Sequence, residues 1–302
     1  MDASPFEAPR AEPSLAFPVI AKDGLSLGAD LHLPPSQPPR AAVLLAPAMG
    51  VPRAFYRRFA EYLAGGGLAV LTVDYRGIGG SRPSGVRSLR GFSATMADWA
   101  TLDLAAAARA LRTRIAGVPF LWVGHSLGGQ LLGLVPDAAD VRGALFVGSQ
   151  SGYWGHWSGA TRVGMAALWF GVVPAMVRTL GYLPMKALGS GEDVPGGVAR
   201  EWATWGRNPA YVGGDAARAA GFARVEAPMR AYALADDPYA PKRAVEGLLE
   251  LYTGADKELR FVRPRDVGAK RIGHFGFFKP GFEPSLWREA RAWLLSRAEV
   301  PS

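Results

Sequence analysis

The chain has 302 residues, 49% of them hydrophobic, with 20% charged, a formal net charge of +8 and no cysteine. That length and apolar content suit one large core with room for an insertion and argue against global disorder. The missing cysteines exclude disulfides, thiolate nucleophiles and cysteine metal sites. The arginines behind the positive charge are scattered, with no nucleic-acid module among them, so they read as solvated surface and no nucleic-acid partner is expected.

Residues 1–14 are rich in Pro and Ala, lack an apolar run and are predicted to be poorly ordered; they do not read as a signal peptide, and the expected compartment is the cytoplasm. Phe17–Ala21 and Leu25–Leu33 are β-like runs around the turn Lys22-Asp23-Gly24, a predicted hairpin. From residue 41 onward short apolar runs alternate with helical periods, the pattern of a mostly parallel sheet flanked by helices. Strands are predicted at Ala41–Ala46, Leu68–Val73, Phe120–Val123, Ala144–Val147, Met229–Leu234 and Leu259–Val262. Helices are predicted at Arg53–Leu63, Thr95–Ala116 and Ser285–Ala298.

The stretch from Gln150 to Ala223 breaks the alternation. It holds Trp154, Trp157, Trp169, Trp202 and Trp205, shows no convincing strand, and is predicted to be a helical cap (150–223) on a core formed by 15–149 and 224–302. Its apolar run Val163–Val177 is interrupted by Pro174 and is too short for a transmembrane segment. Trp154, Trp157 and Trp169 are the candidate walls of an apolar substrate pocket.

The chemistry concentrates in Gly124-His125-Ser126-Leu127-Gly128. A G-x-S-x-G directly after a strand suits a strained strand-to-helix turn that exposes a serine, with small neighbours because a Cβ would strike adjacent backbone. Such an architecture needs nucleophile, acid and histidine in that chain order. Downstream of Ser126 stand only His156, ahead of every plausible acid-bearing strand, and His274, in a glycine-flanked loop after the last strand. His274 is therefore the candidate base. The predicted strand Met229–Leu234 ends in Ala235-Asp236-Asp237-Pro238; Asp237 is favoured as the acid because Pro238 pre-sets the turn, with Asp236 the alternative or a cap for the next helix. His125 is expected to point away from the serine. No two histidines stand at metal-binding spacing, and no glycine-rich run opens a dinucleotide helix, so neither metal nor cofactor is expected.

Together these residues resemble the α/β-hydrolase superfamily, in its serine aminopeptidase-like and monoglyceride lipase-like branch, over roughly residues 17–298. Asp74-Tyr75-Arg76-Gly77-Ile78-Gly79-Gly80-Ser81 is similar to that family's loop after the fourth strand, where Asp74 and Arg76 would tie a loop beside the serine. The family's His-Gly after the third strand is replaced by Ala46-Pro47-Ala48-Met49-Gly50. The oxyanion hole is assigned to the Met49 and Leu127 amides, with Ala48 as the alternative donor. The resemblance implies a serine hydrolase acting on a small-molecule carboxylic ester with an apolar acyl or alcohol part. An amidase or peptidase, thioesterase or acyltransferase with the same triad, or a non-catalytic binding protein on this fold, stand as alternatives. The oligomeric state is not legible in the sequence.

Overall fold

The computed structural model describes residues 15–17, 19–187 and 191–299; the call for disorder in residues 1–14 lies outside them. Eight strands form the main sheet: β1 (Leu15–Ala16), β2 (Ala29–His32), β3 (Ala41–Ala46), β4 (Leu68–Val73), β5 (Phe120–His125), β6 (Gly143–Val147), β7 (Met229–Leu234) and β8 (Lys257–Val262), in the order β1-β2-β4-β3-β5-β6-β7-β8. The pairs β1·β2 and β2·β4 are antiparallel and every later pair is parallel. The predicted hairpin is a separate two-stranded ribbon, Val19–Ile20 against Ser26–Leu27, and its second run continues into β2.

β3 to β6 are buried along their whole length because helices cover both faces. That is why they read as unbroken apolar runs rather than alternating ones. Alternation still sorts the side chains by layer. Ala42, Leu44, Ala46 and Trp122 join the core under the helix ending at Ala105–Arg114, while Val43, Leu45, Leu121 and Val123 join the core under Arg57–Gly65 and Arg288–Ala298.

The loop after β4 is tied by Asp74 and Arg76, each to partners elsewhere in the chain. Asp74 binds the Arg53 guanidinium and accepts from the Arg53 and Gly80 amides at 2.6 and 2.8 Å. Arg76 instead joins buried Asp103 at 2.7 Å and Asp23 at 2.6 Å. Each residue thus sutures a different pair of segments, because opposite faces of the loop meet different neighbours.

Residues between β6 and β7 contribute the helices Gly159–Leu180, Gly196–Arg207 and Ala216–Ala223. Against the expectation of no strand there, Tyr182–Leu183 pairs antiparallel with Val194–Pro195, two residues a side and too short to leave a sequence period. Pro174 does not end the apolar helix either. It follows a π-helical turn at Leu168–Val172, the kind of local irregularity that lets a helix continue past a proline. The continuous helix of 22 residues is by length and composition long and apolar enough to cross a membrane. Trp169, Val173 and Val177, spaced by four, are nevertheless buried against the body, while Val163, Phe170 and Val172 face outward.

Candidate active site

Five loops meet at the carboxyl ends of β3, β5, β6, β7 and β8, where parallel sheets place their ligands. Ser126 follows β5 directly at φ 51°, ψ −110°, in the left-handed region that side chains rarely adopt, and the helix Leu127–Gln130 begins at the next residue. The turn closes because its neighbours are glycines. A Cβ on Gly124 would stand 2.5 Å from the Gly129 nitrogen, and one on Gly128 only 2.0 Å from the Ala46 carbonyl oxygen. The Ser126 amide donates to the Val147 carbonyl at 2.9 Å, locking the turn to β6.

Asp237 and His274 meet with Oδ2 to Nδ1 at 2.6 Å, their side chains 0% and 6% exposed. The other Asp237 oxygen accepts from the Tyr239 and Ala240 amides at 2.8 and 3.1 Å, so one carboxylate both closes its own turn and meets the imidazole. The adjacent Asp236 does not cap the following helix as expected. It accepts from the Ile272 and Gly273 amides at 2.8 and 3.0 Å, holding the loop that carries His274. Successive side chains leave a turn in different directions, and the one aimed at β8's loop is Asp236. Gly148, at φ 56°, gives the pair room: a Cβ there would stand 3.1 Å from both Asp237 Oδ2 and His274 Nδ1. Ser126 lines the same cavity as His274 and makes no hydrogen bond to it among the described residues. Such contacts commonly tighten only around substrate.

His125 points away from the cavity into a buried relay. The Ala48 amide donates to the Tyr56 hydroxyl at 2.9 Å, Tyr56 Oη lies 2.8 Å from His125 Nδ1, and His125 Nε2 lies 3.0 Å from the His274 carbonyl. Burial, with the nearby His274 second, holds His125 well below its ordinary pKa, so it is neutral. Tyr56 then donates to Nδ1, and Nε2–H donates to His274. One chain thereby links the loop after β3, the serine turn and the loop of the candidate base. Tyr56→Phe strands two buried groups at once. It is expected to lower kcat about 10- to 100-fold with little change in KM. Steady-state kinetics beside a thermal melt check this: a lower Tm with unchanged kcat would make the relay purely structural.

The same relay bears on the oxyanion donors. The Ala48 amide is occupied by Tyr56, whereas the Met49 and Leu127 amides have no partner among the described residues, and both residues line the cavity beside Ser126.

That cavity, about 80 Å³, is also lined by Gln130, Gln150, Met185, Trp202, Tyr239 and Phe275. The tryptophans proposed as its walls lie elsewhere. Trp169 is fully buried and donates to the Gly152 carbonyl at 2.9 Å, with its ring edge-on to Trp202. Trp157 donates to the Pro238 carbonyl at 3.0 Å, and Trp154 lies under the Arg162 guanidinium. Helix phase decides it: the buried stripe of Gly159–Leu180 turns toward the body, and it is Trp202 on Gly196–Arg207 that reaches the cavity. Adjacency to Asp237 and His274 could have pointed to Tyr239 and Phe275, and one helical turn past Ser126 to Gln130. Met185 and Trp202 carry the general signal of an aromatic- and methionine-bearing cap segment, but nothing in the sequence singles them out from its other such residues. Among the described residues no group of three His, Asp or Glu could hold a metal.

Compared with known proteins, the model of the serine aminopeptidase (S33) family matches residues 37–182, just under half of the chain. No curated protein matches. Solved structures similar across nearly the whole chain include a soluble variant of monoglyceride lipase from Saccharomyces cerevisiae in complex with a substrate analogue (16% identity, 99% of this chain and 100% of that one, TM-score 0.66). Two others are Est1E from Butyrivibrio proteoclasticus with ferulic acid bound (15%, 93% and 99%, 0.61) and a monoacylglycerol lipase from Paleococcus ferrophilus (17%, 90% and 99%, 0.57).

Proposed function

We propose, for a chain that is an α/β-hydrolase resembling the serine aminopeptidase and monoglyceride lipase branch, that it is a serine hydrolase cleaving a carboxylic ester through an acyl-enzyme. The observation that carries the reading is the buried Asp237–His274 pair facing the same cavity as a serine held at positive φ, beside two unpartnered amides. In this reading His274 takes the proton of Ser126 as Oγ attacks the ester carbonyl. Asp237 fixes the imidazole's orientation and stabilises its protonated form. The Met49 and Leu127 amides receive the developing oxyanion. The proton passes to the departing alcohol, and a water deprotonated by His274 then cleaves the acyl-enzyme. Residues 150–223 serve as the cap that closes the cavity, with Gln150, Met185 and Trp202 as its contributions to the wall.

A mostly apolar cavity of this size suits a short chain. On nitrophenyl esters kcat/KM is expected to rise from acetate by about fourfold per methylene, each contributing about 0.8 kcal/mol on burial, and to level off after a few carbons. The ester series is run beside amide and thioester analogues of the preferred acyl group. A profile flat or falling from acetate would refute the apolar subsite, and faster turnover of amide or thioester would replace ester as the bond cleaved.

A further inference from the structure

The cavity beside Ser126 is not apolar all round. Gln130 and Gln150 stand in its wall, 1% and 5% exposed, and a buried amide is costly unless its oxygen and nitrogen find partners. One chain of contacts supplies most of them. The Tyr211 hydroxyl donates to Gln130 Oε1 at 2.6 Å, and Gln130 Nε2 donates to Gln150 Oε1 at 3.3 Å. Burial raises the Tyr211 pKa, so its phenol stays protonated and able to donate. With the phenol as donor, Gln130 turns its oxygen to Tyr211 and its nitrogen to Gln150.

The chain ends on the Gln150 amide nitrogen, which makes no hydrogen bond among the described residues. It is not sealed in either: among the described residues, the buried, unpartnered side-chain polar atoms belong to His32, His156, Trp202 and Arg218. The Gln150 nitrogen is therefore not fully buried, and Gln150 lines the cavity. Tyr211, at φ 50°, is the one residue besides Ser126 among the described non-glycines with positive φ. Strain of this kind persists where the surroundings enforce it, and here it places the hydroxyl that orients the amides.

The geometry points to Gln150 as a specificity residue that donates to a substrate oxygen. The ester, on the serine-hydrolase reading above, then carries a keto, ether or carbonyl oxygen a few bonds from the scissile carbonyl, in the half that enters the cavity. A plain hydrocarbon chain would leave the Gln150 donors unmet, and sites built to hydrogen-bond a substrate discriminate against analogues that lack the group.

The test compares matched esters. In the acyl arm nitrophenyl pentanoate and hexanoate are set against the 4-oxopentanoate and 5-oxohexanoate; in the alcohol arm butyl esters are set against 2-methoxyethyl esters. Rates are normalised to hydroxide hydrolysis. An oily cavity favours the plain chain, whereas the Gln150 donor reverses that, with an oxygen preference of about tenfold in kcat/KM in one arm. Gln150→Met and the isosteric Gln150→Glu both remove the donor and are expected to bring the ratio to one or below. Preference for the plain chain in both arms, or an oxygen preference surviving both substitutions, would overturn the assignment while leaving the hydrolase reading intact. No hydrolysis together with no fluorophosphonate labelling of Ser126 would overturn both.

Discussion

Ser126→Ala is expected to abolish covalent labelling by a fluorophosphonate and to lower kcat by about a millionfold, leaving only the residual rate that binding and the oxyanion donors supply. The expectation rests on position. Ser126 is the serine that follows a sheet strand at positive φ and lines the cavity with His274. The rival serines are committed elsewhere: the Ser81 hydroxyl donates to the Asp74 carbonyl at 2.7 Å, and Ser149 to the Gly124 carbonyl at 3.2 Å. Neither has a histidine partner among the described residues. Mass spectrometry of the labelled protein checks the site, and active-site titration checks the rate. Labelling that persists in the variant, or maps to Ser81 or Ser149, would refute the nucleophile.

Asp237→Asn is expected to cost about 10⁴ in kcat, since the amide cannot stabilise the imidazolium and favours the wrong tautomer of His274. The turn should survive, because the Asn oxygen can still accept from the Tyr239 and Ala240 amides. Asp236→Asn is a different kind of change. It weakens a clamp of two backbone amides on the His274 loop without touching the ring. Its loss should stay within about 10- to 100-fold, the weight of one charge-assisted hydrogen bond. Comparing the two variants' kcat, with melting curves to confirm folding, separates the roles. The reverse order of effects would exchange them.

Much of the architecture was legible because it depends on local pattern. β3 and β4 begin and end where their apolar runs do, since strands buried on both faces are apolar nearly throughout. The glycines of the serine turn were legible for a similar reason: only a residue without Cβ fits there, so the constraint is written in residue type. Chain order of the serine, the aspartates and the histidine is likewise a property of sequence alone.

Only the tertiary structure decided matters that depend on direction. Asp236 and Asp237 are the same residue type one position apart, and nothing local says which carboxylate turns toward His274 and which toward its loop. Which of the Ala48 and Met49 amides is left without a partner among the described residues hinged on Tyr56, whose hydroxyl arrives from a neighbouring helix to occupy the Ala48 amide. The cavity wall was misassigned for the same reason. Tryptophan content marks a segment as apolar, but the rotation of a helix against the body buries Trp169 and brings Trp202 to the cavity. That rotation is set by packing between elements distant in sequence, which a pattern along one chain does not encode.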